Sequence, residues 1–223
     1  HDLNPGIFRS DRLEEVFEAT RQVAHLEPDQ PLHIIGLSLG GSFALRVAWR
    51  HSQNPIPNMG QTVAICPLMD PYHSTVVLDQ APVYLTYFRR SWRQAFLQKQ
   101  AAFPDLYDFS HELAAQNCMD MTEAFMHHNG PYPDAQTYFE MYRVTPAMMA
   151  DLTSPVAMLT AADDPVIPVE DFEPFRNLSP HLTVNIQQYG GHVGFIDLFP
   201  FRYWTNEAIV TMLTKWEEDF RSW

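Results

Sequence analysis

Along the first seventy residues, segments with apolar positions at helical spacing are followed by short continuous apolar runs. Residues 11–26 carry apolar side chains at helical spacing with charged residues between them, which predicts a helix capped by Ser10 or Asp11. Short apolar runs at residues 32–35 and 62–66 are bounded by turn residues and predict buried strands. Residues 42–50 again follow helical spacing. The order helix, strand, helix, strand predicts an α/β fold with a mostly parallel sheet.

The regular alternation stops at residue 71 and returns after residue 150. The intervening stretch is rich in aromatic, Gln, His and Met residues, and its pieces at 84–102, 108–117, 121–128 and 135–142 predict helices. Its Met and aromatic side chains fit either a core or the wall of an apolar acyl pocket. We predict a helical excursion over residues 71–150, inserted between two strands of the sheet.

The last third of the chain returns to the first pattern. Apolar runs at 156–160 and 182–188 predict strands, and residues 170–175 and 204–220 predict helices. The chain has 223 residues, of which 46% are hydrophobic, enough for one core. We therefore predict a single domain over residues 1–223.

Charge and cysteine content exclude several classes of function. The chain has 27 acidic against 14 basic residues and a net charge of −13, which argues against nucleic-acid binding and docking on anionic membranes. Its two cysteines form no disulfide framework, and Cys66 lies in an apolar run typical of a small buried residue. No apolar stretch reaches the length of a transmembrane helix. We expect a cytoplasmic protein without a transmembrane segment.

A G-x-S-x-G motif lies between the first predicted strand and the helix after it. Gly36, Leu37, Ser38, Leu39 and Gly40 form the motif. A sharp strand-to-helix turn at this place holds a serine in a strained backbone conformation and exposes its hydroxyl above the sheet, provided that its neighbours are small. The sequence predicts Ser38 as a nucleophile, Gly36 and Gly40 as the small neighbours, and the Leu39 N–H as an oxyanion donor.

The chain supplies an acid and a base after the serine. Serine is a weak nucleophile without a positioned base, and proteins with such an elbow supply an acid and then a histidine later in the chain. Asp163 and Asp164 follow the predicted strand at 156–160, and His192 follows the one at 182–188 after two glycines. Both aspartates are candidates for the acid. We favour Asp164, which directly precedes Pro165, and interpret Asp163 as a loop residue that accepts local backbone N–H bonds.

The remaining histidines do not form a recognisable metal site. No H-E-x-x-H motif is present, and the pair His127 and His128 has no partner at metal-ligand spacing. We expect no metal and no cofactor. His33 lies in a predicted strand and favours a core position, whereas the polar surroundings of His51 favour an exposed one.

Three motifs together resemble the YheT-like branch of the α/β-hydrolase superfamily. They are the elbow, the segment A-A-D-D-P-V-I-P that contains Asp164, and the segment G-G-H-x-G-F that contains His192. The resemblance extends over nearly the whole chain. It implies an α/β-hydrolase fold and esterase or lipase-like activity on carboxylic esters, with acyltransferase activity in some relatives. Residue by residue, it carries over Ser38 as nucleophile, Asp164 as acid and His192 as base.

The chain departs from this family at its beginning. Proteins of this fold place three or more strands before the elbow, and a loop there supplies a second oxyanion donor. About 31 residues precede the elbow strand, so we expect the usual N-terminal strands and that donor to be absent. A sheet cut in this way exposes an edge and an apolar face. We expect association through that edge.

The expected substrate is a small-molecule ester, with an apolar acyl group favoured by the composition of the excursion. The expected reaction is acyl transfer to water through an acyl-enzyme on Ser38. Two alternatives stay open. One is an acyltransferase of the same fold, and the other is a non-catalytic fragment or binding module.

Overall fold

The computed structural model describes residues 3–199 and 201–221, and the chain forms two compact units. We call residues 12–69 with 144–221 the sheet unit, and residues 3–11 with 70–143 the helical unit. A compact unit is defined by contacts within it, and the single domain over residues 1–223 stays a prediction.

The sheet unit contains a four-stranded parallel sheet. Its strands are β1 (Leu32–Leu37), β2 (Met59–Ile65), β3 (Val156–Ala161) and β4 (Leu182–Gln187), in the spatial order β1-β2-β3-β4. All neighbouring pairs are parallel, which confirms the predicted fold class. Strands β2 and β3 are buried along most of their length, as expected for parallel strands covered on both faces.

Helices connect these strands and close the chain. They are α1 (Leu13–Leu26), α2 (Leu39–Gln53), α8 (Pro146–Ala150), a 3-10 helix (Val169–Phe175) and α9 (Trp204–Arg221), with a short antiparallel pair β5 (Ile196–Leu198) and β6 (Phe201–Tyr203) before α9. The predicted start of α2 at residue 42 was three residues late, since the helix begins directly after Ser38.

Two apolar clusters show that both faces of the sheet are covered. Val63 and Ile65 pack with α9 residues, whereas Ile34 packs with α1 and α2 residues. Ile34 lies opposite Thr62 in the register of β1 with β2, and side chains alternate between faces along a strand. Ile34 therefore points to the face opposite Val63, so α9 covers one face and the first two helices cover the other.

The helical unit accounts for most of the predicted excursion. Its helices are α3 (Pro71–Asp79), α4 (Pro82–Ala102), α5 (Ser110–Ala114), α6 (Cys118–Asn129) and α7 (Ala135–Glu140). Helix α3 was not predicted, although Asp70 caps it by accepting the His73 N–H and Pro71 occupies its first position. The predicted helix at 108–117 is shorter in the structure. The helical unit ends at residue 143 and α8 belongs to the sheet unit, and the excursion over residues 71–150 stays a prediction.

Strand β1 forms one edge of the described sheet. Ile35 and Leu37 on this strand are 42% and 48% exposed. Association through this edge stays a prediction. Over residues 3–199 and 201–221, no helix combines the length and the apolar character needed to cross a bilayer.

Candidate active site

The turn between β1 and α2 holds Ser38 in a strained backbone conformation. Ser38 has φ 52° and ψ −121°, a combination that residues other than glycine rarely adopt. Its N–H donates to the Ile65 carbonyl at 2.9 Å, and its own carbonyl accepts the N–H groups of Ser42 at 3.1 Å and Leu68 at 3.2 Å. These three bonds tie the turn to the adjacent strand and helix, which is how the strain persists.

The backbone packs closely around Gly36 and Gly41 at this turn, whereas the sequence predicted close packing at Gly36 and Gly40. A Cβ at Gly36 would lie 2.2 Å from the Gly40 carbonyl oxygen, and a Cβ at Gly41 would lie 3.0 Å from the Pro67 Cα. A Cβ at Gly40 would meet no atom within 4 Å. The steric reason expected for Gly40 is therefore wrong, since this residue faces outward from the helix start, and the second close approach belongs to Gly41.

Three predicted residues form one hydrogen-bonded chain. His192 Nε2 lies 3.0 Å from Ser38 Oγ, and His192 Nδ1 lies 3.0 Å from Asp164 Oδ2. Each residue follows a different strand of the parallel sheet, and the carboxyl ends of such strands meet at one edge. The structure thus brings together the side chains predicted as nucleophile, base and acid.

The surroundings of Asp164 fix the orientation of its carboxylate. Its Oδ1 accepts the N–H groups of Val166 at 2.8 Å and Ile167 at 3.0 Å, which leaves Oδ2 for the histidine. The Asp164 side chain has no exposed surface, and that of His192 is 10% exposed. Because a carboxylate only accepts, Nδ1 must carry the proton, and Nε2 is free to accept from the serine hydroxyl.

Asp163 contacts the loop that carries His192. Its Oδ1 accepts the N–H groups of Gly190 and Gly191, both at 2.8 Å. The sequence interpretation foresaw backbone N–H bonds but placed them locally, as in an Asx turn. The observed partners lie more than 25 residues away in the sequence, so no local pattern identifies them.

Cys66 is buried beside the same residues. It follows β2, has φ 43° and no exposed surface, and its Sγ lies 3.8 Å from the Gly191 carbonyl oxygen. The predicted burial is confirmed, whereas the contact with the histidine loop was not predicted. Burial and the nearby charge of Asp164 raise the pKa of the Cys66 thiol to about 12, so it stays protonated and can donate to a carbonyl.

The donor atoms of Cys66, Asp164 and His192 lie within 4.8 Å of one another. Such a set resembles metal ligands by residue type. A metal bound there would have to displace the thiol proton and the hydrogen bond between His192 and Asp164. The arrangement fits a hydrogen-bonded site better than a metal centre.

Two other histidines accept backbone hydrogen bonds away from this site. His33 Nδ1 accepts the Gln61 N–H at 3.0 Å, and the residue is half-buried rather than part of the core. His51 is only 8% exposed, and its Nδ1 accepts the Ile56 N–H at 3.0 Å. The expected exposure of His51 is wrong because the polar sequence around it hides this local bond. Burial lowers the pKa of both rings.

Leu39 is the first residue of α2, and the first N–H groups of a helix have no partner within it. The helix N-terminus also carries a partial positive charge beside Ser38. Both features are compatible with the expected role of the Leu39 N–H as an oxyanion donor, which stays a prediction.

Comparison with protein families gives a match over most of the chain. The model of the alpha/beta hydrolase family matches residues 4–200. Among curated proteins, the chain is 25% identical over 198 residues to the putative esterase YheT of Escherichia coli (strain K12), a match covering 84% of this chain and 56% of that protein. It is also 25% identical over 109 residues to an abhydrolase domain-containing protein of Dictyostelium discoideum, covering 48% of this chain and 27% of that protein.

Solved structures show the same fold at low sequence identity. A meta-cleavage product hydrolase from Pseudomonas fluorescens IP01 superposes with a TM-score of 0.55 at 13% identity, covering 94% of this chain and 73% of that one. An esterase from Pyrococcus furiosus gives a TM-score of 0.52 at 14% identity, covering 93% and 62%. The family match, the parallel sheet and the strained serine turn lead to one conclusion: this chain belongs to the alpha/beta hydrolase family.

Proposed function

We propose that the protein containing this chain is a serine hydrolase that cleaves carboxylic esters, with Ser38 as nucleophile, His192 as base and Asp164 as acid. The hydrogen-bonded chain from Ser38 Oγ through the imidazole to the Asp164 carboxylate carries this proposal. The chain spans 27% and 56% of the lengths of its two curated relatives, so the proposal concerns the activity of the whole protein.

The first step of the proposed reaction forms an acyl-enzyme. Ser38 Oγ attacks the ester carbonyl while Nε2 of His192 takes the hydroxyl proton. Asp164 holds the ring in the required tautomer and stabilises the imidazolium that forms. The Leu39 N–H donates to the carbonyl oxygen as it becomes negatively charged. The alcohol leaves with the proton from His192.

The second step releases the acid. Water gives a proton to His192 and attacks the acyl carbonyl, after which Ser38 leaves as a hydroxyl with that proton. An added alcohol in place of water would give a new ester, which is how acyltransferase activity is distinguished from hydrolysis. The esterase names of two of the proteins reported above support an ester as substrate.

Covalent labelling of the wild type and Ser38→Ala by a fluorophosphonate, followed by intact mass, tests the proposal. The serine oxygen replaces fluoride on phosphorus, so we expect one adduct on the wild type and none on the variant. Asp164→Asn should lower the labelling rate by about 10⁴-fold, since the amide favours the wrong histidine tautomer. Absence of an adduct on the folded wild type would contradict the proposal and favour a non-catalytic module.

The substrate class needs a separate measurement. Esters of increasing acyl length, assayed with and without added alcohol, should give acid as the product in water and identify the preferred chain. Turnover of esters by Ser38→Ala at the wild-type rate would place the activity elsewhere.

A further inference from the structure

The loop that carries His192 has two strained residues, Val193 and Phe195, after a glycine that also has positive φ. Gly191, Val193 and Phe195 have φ values of 55°, 63° and 44°. Positive φ is unfavourable for any residue with a Cβ and most unusual for a β-branched one such as Val193. Strain of this kind persists only where the surroundings determine the backbone. The position of His192 therefore depends on what holds the loop.

Bonds within the loop determine its shape but not its place. The Gly190 carbonyl accepts the N–H groups of Gly194 at 3.1 Å and Phe195 at 2.9 Å, which closes the turn around His192. Neither bond joins the loop to another segment of the sheet unit.

Bonds to the Asp163 carboxylate hold the first part of the loop. Its last part is held by the buried Phe195 side chain and by the Trp204 N–H, which donates to the Phe195 carbonyl at 2.9 Å.

One oxygen of the Asp163 carboxylate accepts both the Gly190 and the Gly191 N–H at 2.8 Å. Hydrogen bonds to a charged acceptor are about twice as strong as those between neutral groups. Asp163 follows β3 in the same loop as Asp164, so the element that holds the acid also holds the loop of the base. A longer contact of 3.8 Å joins Cys66 Sγ to the Gly191 carbonyl oxygen.

We propose that Asp163 is a positioning residue, which sets the location of the His192 ring by accepting the two glycine N–H groups. This inference rests on the proposed function. The two adjacent aspartates then have separate tasks: Asp164 contacts the ring, and Asp163 contacts the backbone that carries the ring. Their common loop keeps these two contacts in register.

The test compares Asp163→Ala with Asp163→Asn by fluorophosphonate labelling and ester kinetics. The alanine variant loses both bonds, and we expect its labelling rate and kcat to fall by about 10²-fold, the loss that a misplacement of about 1 Å causes. KM should stay unchanged because the base moves and the binding surface does not. The asparagine oxygen can accept the same two N–H groups, so we expect this variant to recover most of the rate.

Asn58→Ala is the matched control for a loss of stability alone. The Asn58 side chain also holds backbone from a distance, since its Nδ2 donates to the carbonyls of Ala24, Glu27 and Gln30. It precedes β2, at the end of the sheet opposite the candidate site. This variant should unfold at a lower temperature and keep the wild-type labelling rate at temperatures where it is folded.

Amide hydrogen exchange separates this inference from the proposed function. We expect the Gly190 and Gly191 amides to be protected in the wild type and Asp163→Asn, and to exchange freely in Asp163→Ala. If Asp163→Ala is labelled at the wild-type rate and its Gly190 and Gly191 amides stay protected, the inference is overturned and the proposed function is left intact. A wild type that binds no fluorophosphonate would overturn the proposed function, and the exchange rates would still decide whether Asp163 holds the loop.

Discussion

Gly36→Ala tests the steric basis of the serine turn. The new Cβ would lie 2.2 Å from the Gly40 carbonyl oxygen, 2.5 Å from the Gly40 carbonyl carbon and 2.7 Å from the Gly41 nitrogen. All three atoms belong to the backbone of α2, so no side-chain rotation relieves the contact. Strand and helix must separate by about 0.8 Å for the shortest contact to reach 3.0 Å.

This separation acts directly on the reacting atoms because Ser38 joins the strand to the helix. Ser38 Oγ lies 3.0 Å from His192 Nε2, and a further shift of about 0.8 Å exceeds the usual length of a hydrogen bond. Misplacement by about 1 Å costs on the order of 10²-fold in rate. We expect a loss of labelling of that order in Gly36→Ala. The overpacking should also destabilise the fold by roughly 1–3 kcal/mol.

Gly40→Ala is the matched control, four residues away in the same turn. Its Cβ would meet no atom within 4 Å, and alanine favours a helix over glycine by about 0.5–1 kcal/mol. We expect Tm to rise by about 1–4 °C with labelling unchanged. The assay measures the fluorophosphonate labelling rate and Tm on both variants after circular dichroism confirms folding. Wild-type labelling and Tm in Gly36→Ala would refute the reasoning.

Two further predictions concern buried titratable groups. Burial lowers the pKa of His51 in the folded state. Below its ordinary pKa of 6.5, the unfolded chain therefore binds more protons at this residue than the folded chain does. The stability that neutral His51 contributes is present above pH 6.5 and is lost as the pH falls below that value. Urea unfolding above and below pH 6.5 should show that the free energy of unfolding falls less for His51→Gln than for the wild type. An equal fall in both proteins would contradict the assignment. Burial raises the pKa values of Cys66 and Cys118 to about 12, so iodoacetamide should modify both thiols in urea and neither in the folded protein. Rapid modification of either thiol in the folded protein, measured by mass spectrometry, would contradict their burial.

The serine turn was predictable from the sequence because its determinants are local. An apolar strand, Gly36, Ser38 and a helical pattern lie within one stretch of the chain, and each contributes directly to the observed geometry. The distribution of tasks between Asp163 and Asp164 was harder to predict. Both are aspartates in one loop, and the atoms that distinguish them belong to residues 190–192. The position directly before Pro165 favoured Asp164 as the acid, but only the fold shows what Asp163 contacts.

Periodicity also missed elements that are too short to show a period. Helix α8 (Pro146–Ala150) lies next to the excursion in sequence and packs in the sheet unit, against α2. The pair β5 and β6 escaped prediction because strands of three residues are too short to establish a period. Contacts distant in sequence decide the place of α8, whereas β5 and β6 pair with each other as neighbours in the chain.

Backbone strain in the sheet unit concentrates at the candidate site. Among the residues that the structure describes, five non-glycine residues have positive φ, and all but Asn177 lie at the carboxyl edge of the sheet: Ser38, Cys66, Val193 and Phe195. Each such residue raises the free energy of the fold by on the order of 1–3 kcal/mol, so backbone strain in the sheet unit is greatest at this edge. Hydrogen bonds accepted by the Ile65 carbonyl, the Asp163 carboxylate and the Gly190 carbonyl offset that cost at the same place. Substitutions that remove the Asp163 carboxylate or displace the backbone of these turns should therefore disturb the site before they unfold the sheet. We expect loss of labelling at unchanged secondary structure as their common result.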